Sequence, residues 1–416
     1  MRFVMPHAPG LRPAWMIRAG LFLYDWLARR QTLPPSAAVD FARTACGAGL
    51  QTQYSRGYAY SDCWVDDARL VIANARAAAE AGASIRPRTA CVAAWRTGSH
   101  WRVRLRDAGG ETEVSVRALV NAAGPRVEYF LKHVVGESSH DHIRLVQGSH
   151  IVVPRLYEGD HAYILQNDDR RVVFVYPYES AYTLMGTTDV AVAGDAYACS
   201  ASGAEVEYLC RAANRYFARR IEPQDVRWSY CGVRALLDDG SRNPSEVTRD
   251  YLLRLDAGAT RAPLLSIFGG KITTYRRLAE RALEKLGAVM PGVDAPRTSE
   301  AGLPGSDIPG RDLEGYTAAL AAARPALPPS LVRALVRRHG SRAEAVLGDA
   351  RTPVELGPSF GSDLHAREVD YFIAHEWAHE PDDVLWRRTK AGLHISAAER
   401  DALVQYVSAR RETCVT

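Results

Sequence analysis

No stretch of this chain reaches the roughly 18 consecutive apolar residues that a membrane-spanning helix needs. The opening Met1-Arg2-Phe3-Val4-Met5-Pro6-His7 lacks the charged-then-apolar order of a secretory signal. Any membrane contact is therefore expected to be peripheral. Charge of one sign is also scarce. The 52 basic and 48 acidic residues leave a net +4, and the basic ones are scattered, which argues against a nucleic-acid partner. Cys46, Cys63, Cys91, Cys199, Cys210, Cys231 and Cys414 form no CxxC or other metal-like spacing. They read as reduced thiols of a cytosolic protein. There is no P-loop, no GxSxG elbow and no GxGxxG, since Gly47-Ala48-Gly49 lacks both the third glycine and a strand before it. His375-Glu376-Trp377-Ala378-His379 places two histidines around a glutamate as zinc proteases do, but an ordinary helix is the better reading, so no metal is expected.

What the chain does have is globular. Its 416 residues are 47% hydrophobic and 24% charged, enough for two or three domains. Arg2–Pro6 reads as extended, Leu11–Arg30 as a helix interrupted at Pro13, and Asp66–Gly82 as a second helix ended by its glycine. Strand-like runs follow at Ser84-Ile85, Thr89–Trp95, Trp101–Arg106 and Glu113–Asn121, with a hairpin turn at Asp107–Gly110. Short strands then recur between Ile143 and Tyr230 around one helix, about Ala204–Phe217. An apolar strand, Ala262–Phe268, runs into Gly269-Gly270 and a helix from about Thr274 to Gly287. Residues 291–309 are rich in Pro and Gly and read as a linker to a helical domain over 310–416.

Several blocks carry more than periodicity. They begin with Leu11-Arg12-Pro13-Ala14-Trp15-Met16-Ile17-Arg18 and Tyr60-Ser61-Asp62-Cys63-Trp64-Val65-Asp66-Asp67-Ala68-Arg69-Leu70. Gly148-Ser149-His150-Ile151-Val152-Val153-Pro154-Arg155, Gly186-Thr187-Thr188-Asp189, Gly232-Val233-Arg234 and Thr248-Arg249-Asp250-Tyr251 follow. Phe268-Gly269-Gly270-Lys271-Ile272-Thr273-Thr274-Tyr275-Arg276, Glu376-Trp377-Ala378 and Asp383–Lys390 complete the set. In this order, over essentially the whole chain, they resemble the aerobic FAD-dependent glycerol-3-phosphate dehydrogenases.

The resemblance implies an α/β (α+β) fold of the D-amino-acid-oxidase type. Its oxidoreductase domain would cover residues 1–290 with an antiparallel substrate sheet at about 140–235, and a helical domain would close the chain. It implies FAD as cofactor and oxidation of sn-glycerol 3-phosphate to dihydroxyacetone phosphate, with electrons passed to a membrane quinone. The location implied is cytoplasmic, peripheral on the inner face of the membrane, and a homodimer is compatible with it. The strand, Gly-rich turn and helix that open this family and cradle the FAD pyrophosphate are not among these residues. The expectation is a start upstream of Met1, or a remnant that no longer binds FAD. An oxygen-reducing oxidase of the same fold is a further alternative.

The resemblance also assigns roles, each beside a plainer reading. Gly269-Gly270-Lys271-Ile272-Thr273 joins a strand to a helix, so Gly269, Gly270, Lys271 and Thr273 would contact FAD. Lys271 would also brace the electron-rich edge of the reduced ring and touch substrate. An ordinary turn capped by Thr273 or Thr274 is the alternative. Arg234 would lie beside the reacting carbon and Arg249 near the phosphate, because a guanidinium fork suits phosphate; surface pairs with Asp238, Asp239 or Asp250 are the alternative. Ala235 stands where the family has Pro. His150 is a base or a hydrogen-bond partner of substrate, or a structural histidine. Thr188 is read as touching substrate, or as part of an Asx-type turn. Ala123 and Gly124, in Asn121-Ala122-Ala123-Gly124-Pro125, would pass close to the FAD pyrophosphate, with Arg126 where the family has Trp. Ala90 and Cys91 would meet adenine through backbone. The Leu11–Arg30 helix would lie on a bilayer or pack on its own protein.

Overall fold

The computed structural model describes residues 1–7, 12–27, 33–138, 141–169, 171–192, 199–238, 250–258, 260–292 and 298–413. The chain divides into two compact units. One holds Met1–Trp64 and Cys91–Asp294, the other Val65–Ala90 and Ala295–Thr416.

The first unit is built on a nine-stranded sheet. Its members are β1 (Arg2–His7), β2 (Ala37–Asp40) and β3 (Arg56–Ser61), then, after the other sheets have begun, β8 (Ile143–Pro154), β9 (Ala162–Gln166), β10 (Val172–Tyr178), β11 (Tyr182–Gly186), β12 (Val190–Ala191) and β13 (Trp228–Leu237). The order is β12-β8-β11-β10-β9-β1-β3-β2, with β13 on the other edge of β8. All pairs are antiparallel except β1 with β9. The sheet thus reaches beyond the expected 140–235, because Phe3 and Val4 register against Ala162 and Tyr163 and bring the first three strands with them.

Alternation gives this sheet two different faces. On the back, Ile151, Val153, Tyr163, Leu165, Val175 and Met185 are buried under α4 (Gly203–Tyr216). That helix contributes Leu209, Ala212, Ala213 and Tyr216, an i, i+3, i+4, i+7 stripe. Full burial of each large apolar side chain is worth about 1.5–3 kcal/mol, so this layer anchors the unit. The front face carries His150 on β8 and, opposite it in register, Tyr230 on β13.

Two smaller sheets complete the unit. One is β4 (Ala90–Thr97), β5 (His100–Asp107) and β6 (Gly110–Val116); the other runs in the order β14 (Tyr251–Gly258), β15 (Arg261–Gly269), β7 (Leu119–Asn121). The expected single strand Glu113–Asn121 is therefore two strands in two sheets, and Ser84-Ile85 forms none. β7 runs parallel to β15 and pairs with no other described strand, which leaves Val120 44% exposed. α5 (Tyr275–Gly287) covers β14 and β15 through Ala282 and Leu286. α1 (Ala14–Leu27) and the one-turn α3 (Val127–Tyr129) are the unit's remaining α-helices among the described residues.

The second unit is helical: α2 (Asp67–Glu80), α6 (Leu313–Ala323), α7 (Pro329–His339), α8 (Ala343–Leu347), α9 (Ala366–Glu376) and α10 (Ala397–Thr413). Sequence order alone would put α2 in the first domain. Ion pairing puts it here, since Arg69 on α2 forks onto Glu376 at the end of α9, at 2.5 and 2.9 Å. Leu331, Val332, Leu335 and Leu347 centre one apolar cluster, and Val369, Phe372, Leu385 and Leu403 another.

Candidate active site

The register of β8 and β13 assembles the front-face residues. His150 stacks on Tyr230 with ring centroids 4.8 Å apart and planes 4° from parallel, and Tyr230 in turn touches Trp228. Opposite the imidazole lies Gly186 of β11, where any Cβ would collide with the His150 ring. Tyr230 and Gly186 therefore hold the imidazole. Burial, followed by the nearby Arg234 charge, pulls its pKa down to about 4, so His150 is neutral at pH 7. Its Nδ1 is buried without a hydrogen-bond partner among the described residues.

Arg234 follows Tyr230 on the same face of β13. Its Nη1 donates to Asp189 Oδ1 at 2.7 Å and its Nη2 to Thr187 Oγ1 at 2.9 Å. Gly148 leaves room for this, because an added Cβ would stand 2.6 Å from Nη2. The side chain stays 31% exposed and Asp189 18%. The guanidinium is thus held along one edge and open along another, as a group that receives an anion must be.

The glycine turn meets β13 at its C-terminal end. Gly269 has φ 75° and Gly270 φ 110°, values that favour glycine. A Cβ on Gly269 would lie 2.7 Å from Asp250 O and 3.7 Å from Ala235 O, next in chain to Arg234. Lys271 is exposed at the mouth of α5. The alternative, a side-chain cap from Thr274, does not form, because its hydroxyl donates back to Lys271 O at 3.2 Å. The Thr274 and Tyr275 amides are also used, donating to Lys271 O and Ile272 O. Thr273 lies in the 3-10 turn Ile272–Thr274. On the other side of Thr274 a cavity of about 480 Å³ is lined by Asp250, Tyr251, Arg277, Glu280, Arg281 and Glu284.

At the end of β7, Asn121 ties the next turn by accepting from Ala123 N and donating to Val127 O. Gly124 has φ 54°, and nothing lies within 4 Å of where its Cβ would be. Ala90 and Cys91 open β4; Cys91 is half-buried, and burial raises its thiol pKa. The open space over Gly124, the glycine turn and the exposed Lys271 fit a flavin nucleotide.

Other expectations are corrected. Thr188 is buried and its hydroxyl is already used, accepting from Ser149 N at 2.9 Å and donating to Glu205 at 2.6 Å, so its side chain supports the site from inside the protein. Cys199 and Cys231 are joined in a disulfide rather than reduced, because the run into α4 passes beside β13. Cys46, Cys63, Cys91 and Cys210 are free, and Cys414 lies outside the described residues. Arg249 also lies outside them. The zinc-like spacing fails as geometry: α9 ends at Glu376, Trp377 turns left-handed at φ 55°, and Glu376 is committed to Arg69. Tyr230 and Glu205, which the structure brings next to His150 and Thr188, were not foreseen; Asp189 was read with Thr187 and Thr188 as a turn at the substrate sheet. For Glu205 the available signal was Ser202-x-x-Glu205, a capping-box spacing that the structure confirms.

The sheet, the strand–glycine turn–helix unit and the family match together place the chain among the FAD-dependent oxidoreductases. Residues 1–276 match the FAD dependent oxidoreductase family, and residues 296–412 match the C-terminal domain of alpha-glycerophosphate oxidase. The chain is 46% identical to the D-erythritol 1-phosphate dehydrogenase of Brucella abortus, over 98% of this chain and 81% of that one. It is also 46% identical to the glycerol-3-phosphate dehydrogenase of Pseudomonas aeruginosa (98% and 79%) and 44% to the aerobic glycerol-3-phosphate dehydrogenase of Escherichia coli (98% and 81%). The fold superposes on the FAD-complexed glycerol-3-phosphate dehydrogenase of Bacillus halodurans with a TM-score of 0.72 at 20% identity, over 99% of this chain and 81% of that one. The chain belongs to the family of FAD-dependent glycerol-3-phosphate dehydrogenases.

Proposed function

We propose that this protein oxidises sn-glycerol 3-phosphate to dihydroxyacetone phosphate and passes the electrons to a quinone. The observation that carries the reading is the half-open Arg234 beside the neutral, clamped His150. FAD, when bound, supplies the hydride acceptor. Arg234 holds the substrate's anionic end on its open edge. His150 takes the hydroxyl hydrogen at Nε2, since its Nδ1 is closed off inside the protein. A phosphate dianion arriving at Arg234 offsets the guanidinium's effect on the imidazole and raises its basicity where it is needed. Lys271 faces the ring edge on which negative charge grows.

The test is anaerobic. Flavin-loaded protein should bleach on adding sn-glycerol 3-phosphate and regain colour with a soluble quinone faster than with oxygen. Loaded protein that stays yellow with substrate sinks the reading. A four-carbon substrate is the second reading, favoured by the equal similarity to an erythritol-phosphate enzyme; the ratio of the two kcat/KM values decides it.

The quinone reading asks for a bilayer contact, and α1 supplies one. It buries Ile17 and turns outward Trp15, Phe22, Leu23, Trp26 and Leu27, with Phe22 73% and Trp26 75% exposed. No helix among the described residues is long and apolar enough to cross a membrane. A helix with its apolar stripe outward suits the interfacial plane. Flotation with anionic vesicles should carry the parent protein and leave Phe22→Ser/Trp26→Ser behind; equal flotation removes α1 from the contact.

A further inference from the structure

Arg234 is held by three consecutive residues, Thr187, Thr188 and Asp189, and something must hold them. Among the described residues the turn's side-chain attachment to the interior is the Thr188 hydroxyl. It donates to Glu205 Oε1 at 2.6 Å. The same oxygen accepts from Ser149 Oγ at 2.7 Å. The other carboxylate oxygen accepts from Ser202 N (3.0 Å), Ser202 Oγ (2.9 Å) and Gln147 Nε2 (3.1 Å). Every partner is a donor. Burial alone would raise the Glu205 pKa, but the Thr188, Ser202 and Ser149 contacts outweigh it and hold it below its ordinary value. The carboxylate therefore stays charged without a cation beside it.

Its place in the fold is informative. Glu205 stands one turn before Leu209, on the stripe by which α4 packs against the back of the sheet. An apolar residue there would suit packing alone. A buried anion costs desolvation, and here its charge-assisted hydrogen bonds fasten β8, through Gln147 and Ser149, and the turn at the end of β11.

We infer that Glu205 is a positioning residue for substrate binding: acting from the back of the sheet through Thr188, it fixes the turn that aims the Arg234 guanidinium at an anionic substrate. This rests on the reading of Arg234 given above. Glu205→Gln keeps the size but removes the charge: its carbonyl can still accept from Ser202 N and Gln147 Nε2, while its NH2 faces the Ser149 and Thr188 hydroxyls, which must turn round to accept and so lose their charge-assisted bonds. Thr188→Val removes the relay at constant shape, and Thr188→Ser restores its hydroxyl.

The experiment measures binding of sn-glycerol 3-phosphate to the full chain by calorimetry, with crystal structures of the variants. Glu205→Gln and Thr188→Val should each weaken binding about tenfold, the size of one lost charge-assisted hydrogen bond. Thr188→Ser should stay within about twofold of the parent. Arg234 should leave Asp189 or Thr187 in the crystals of both weakened variants. Parent-like binding in Thr188→Val, or equal weakening in Thr188→Ser, overturns the inference. Should Glu205→Gln fail to fold, the threonine pair decides alone. Should the parent itself bind nothing, the substrate reading of Arg234 falls. The position of Arg234 in Thr188→Val then decides the relay: a displaced guanidinium upholds it and an unmoved one ends it.

Discussion

Two buried glutamates organise this molecule, and they do opposite work. Glu205, in the first unit, is surrounded by hydroxyls and amides, and the arginine it serves lies two links away and 31% exposed. Glu376, in the second, is gripped directly by Arg69. Its side chain is 4% exposed, and His339 Nδ1 lies 3.7 Å away while its Nε2 sits 2.8 Å from Glu368. Glu368 in turn takes both forks of Arg338, at 2.7 Å each. Arg69 and Arg338 are each only 17% exposed, with two nitrogens committed to a single buried carboxylate. Both glutamates titrate below their ordinary value. A shifted carboxylate therefore does not mark the active site; an arginine left open to an incoming anion does.

The largest expected effect tests the sealed network. Glu376→Gln leaves Arg69 buried against a neutral partner and should cost about 3–5 kcal/mol of stability, measured by urea unfolding. The pH dependence has a definite sign. Burial raises the Glu376 pKa, but the nearby His339 and the hydrogen-bonded Arg69 outweigh that and bring it down to about 2. Its contribution is complete above the unfolded value of about 4.5 and is lost as pH falls toward 2. Glu376→Gln should therefore flatten stability against pH across that window. An unchanged slope would make the network an ornament of the surface.

Arg234→Gln comes next and should separate the two glutamates' roles. Loss of one charged fork should lower kcat/KM for sn-glycerol 3-phosphate by about 10–100-fold, the scale of 1.5–3 kcal/mol, while the unfolding midpoint barely moves because the group is part-exposed. Equal losses in both would put Arg234 in the same class as Arg69. His150 adds a titration. Its pKa falls from 6.5 to about 4 through burial and Arg234. The unfolded chain therefore binds a proton first on acidification, and this residue removes stability as pH falls from 6.5 to 4. His150→Gln should abolish that limb and, unlike Glu376→Gln, leave the slope below pH 4 intact.

Much of the first unit was legible because its signals are local. A strand ending in Gly269-Gly270, a lysine and a helix is a contiguous pattern, and the two positive φ values follow from it. Gly232-Val233-Arg234 likewise names the arginine that β13 carries to the front face. What could not be read depends on register. His150 and Tyr230 stack only because β8 pairs with β13, and Thr188 turns inward only because α4 delivers Glu205 behind it. Alternation in β8 puts Ser149 toward the helix and His150 away from it, a distinction no block match makes. The disulfide and the placing of α2 are non-local in the same way: each joins segments that the sequence separates by a whole element or more.

The smallest effect sharpens the contrast within the second unit. Glu380 stands four positions after Glu376 and also takes an arginine, Arg88, at 2.9 Å. By distance alone the two pairs are equals. Yet Arg88 and Glu380 are 55% and 50% exposed, so water already solvates both ions, and ordering two long side chains opposes the weak attraction. The left-handed Trp377 makes the difference: it ends α9 just after Glu376 has turned into the interior and lets the chain run outward again. Glu380→Gln should cost about 0.2–1 kcal/mol, and less in high salt, since screening acts on exposed pairs. The cost of Glu376→Gln should hardly change with salt. A salt-insensitive loss at Glu380 as large as that at Glu376 would mean that burial is not what separates structural pairs from surface ones here, and the exposure argument for Arg234 would lose its footing with it.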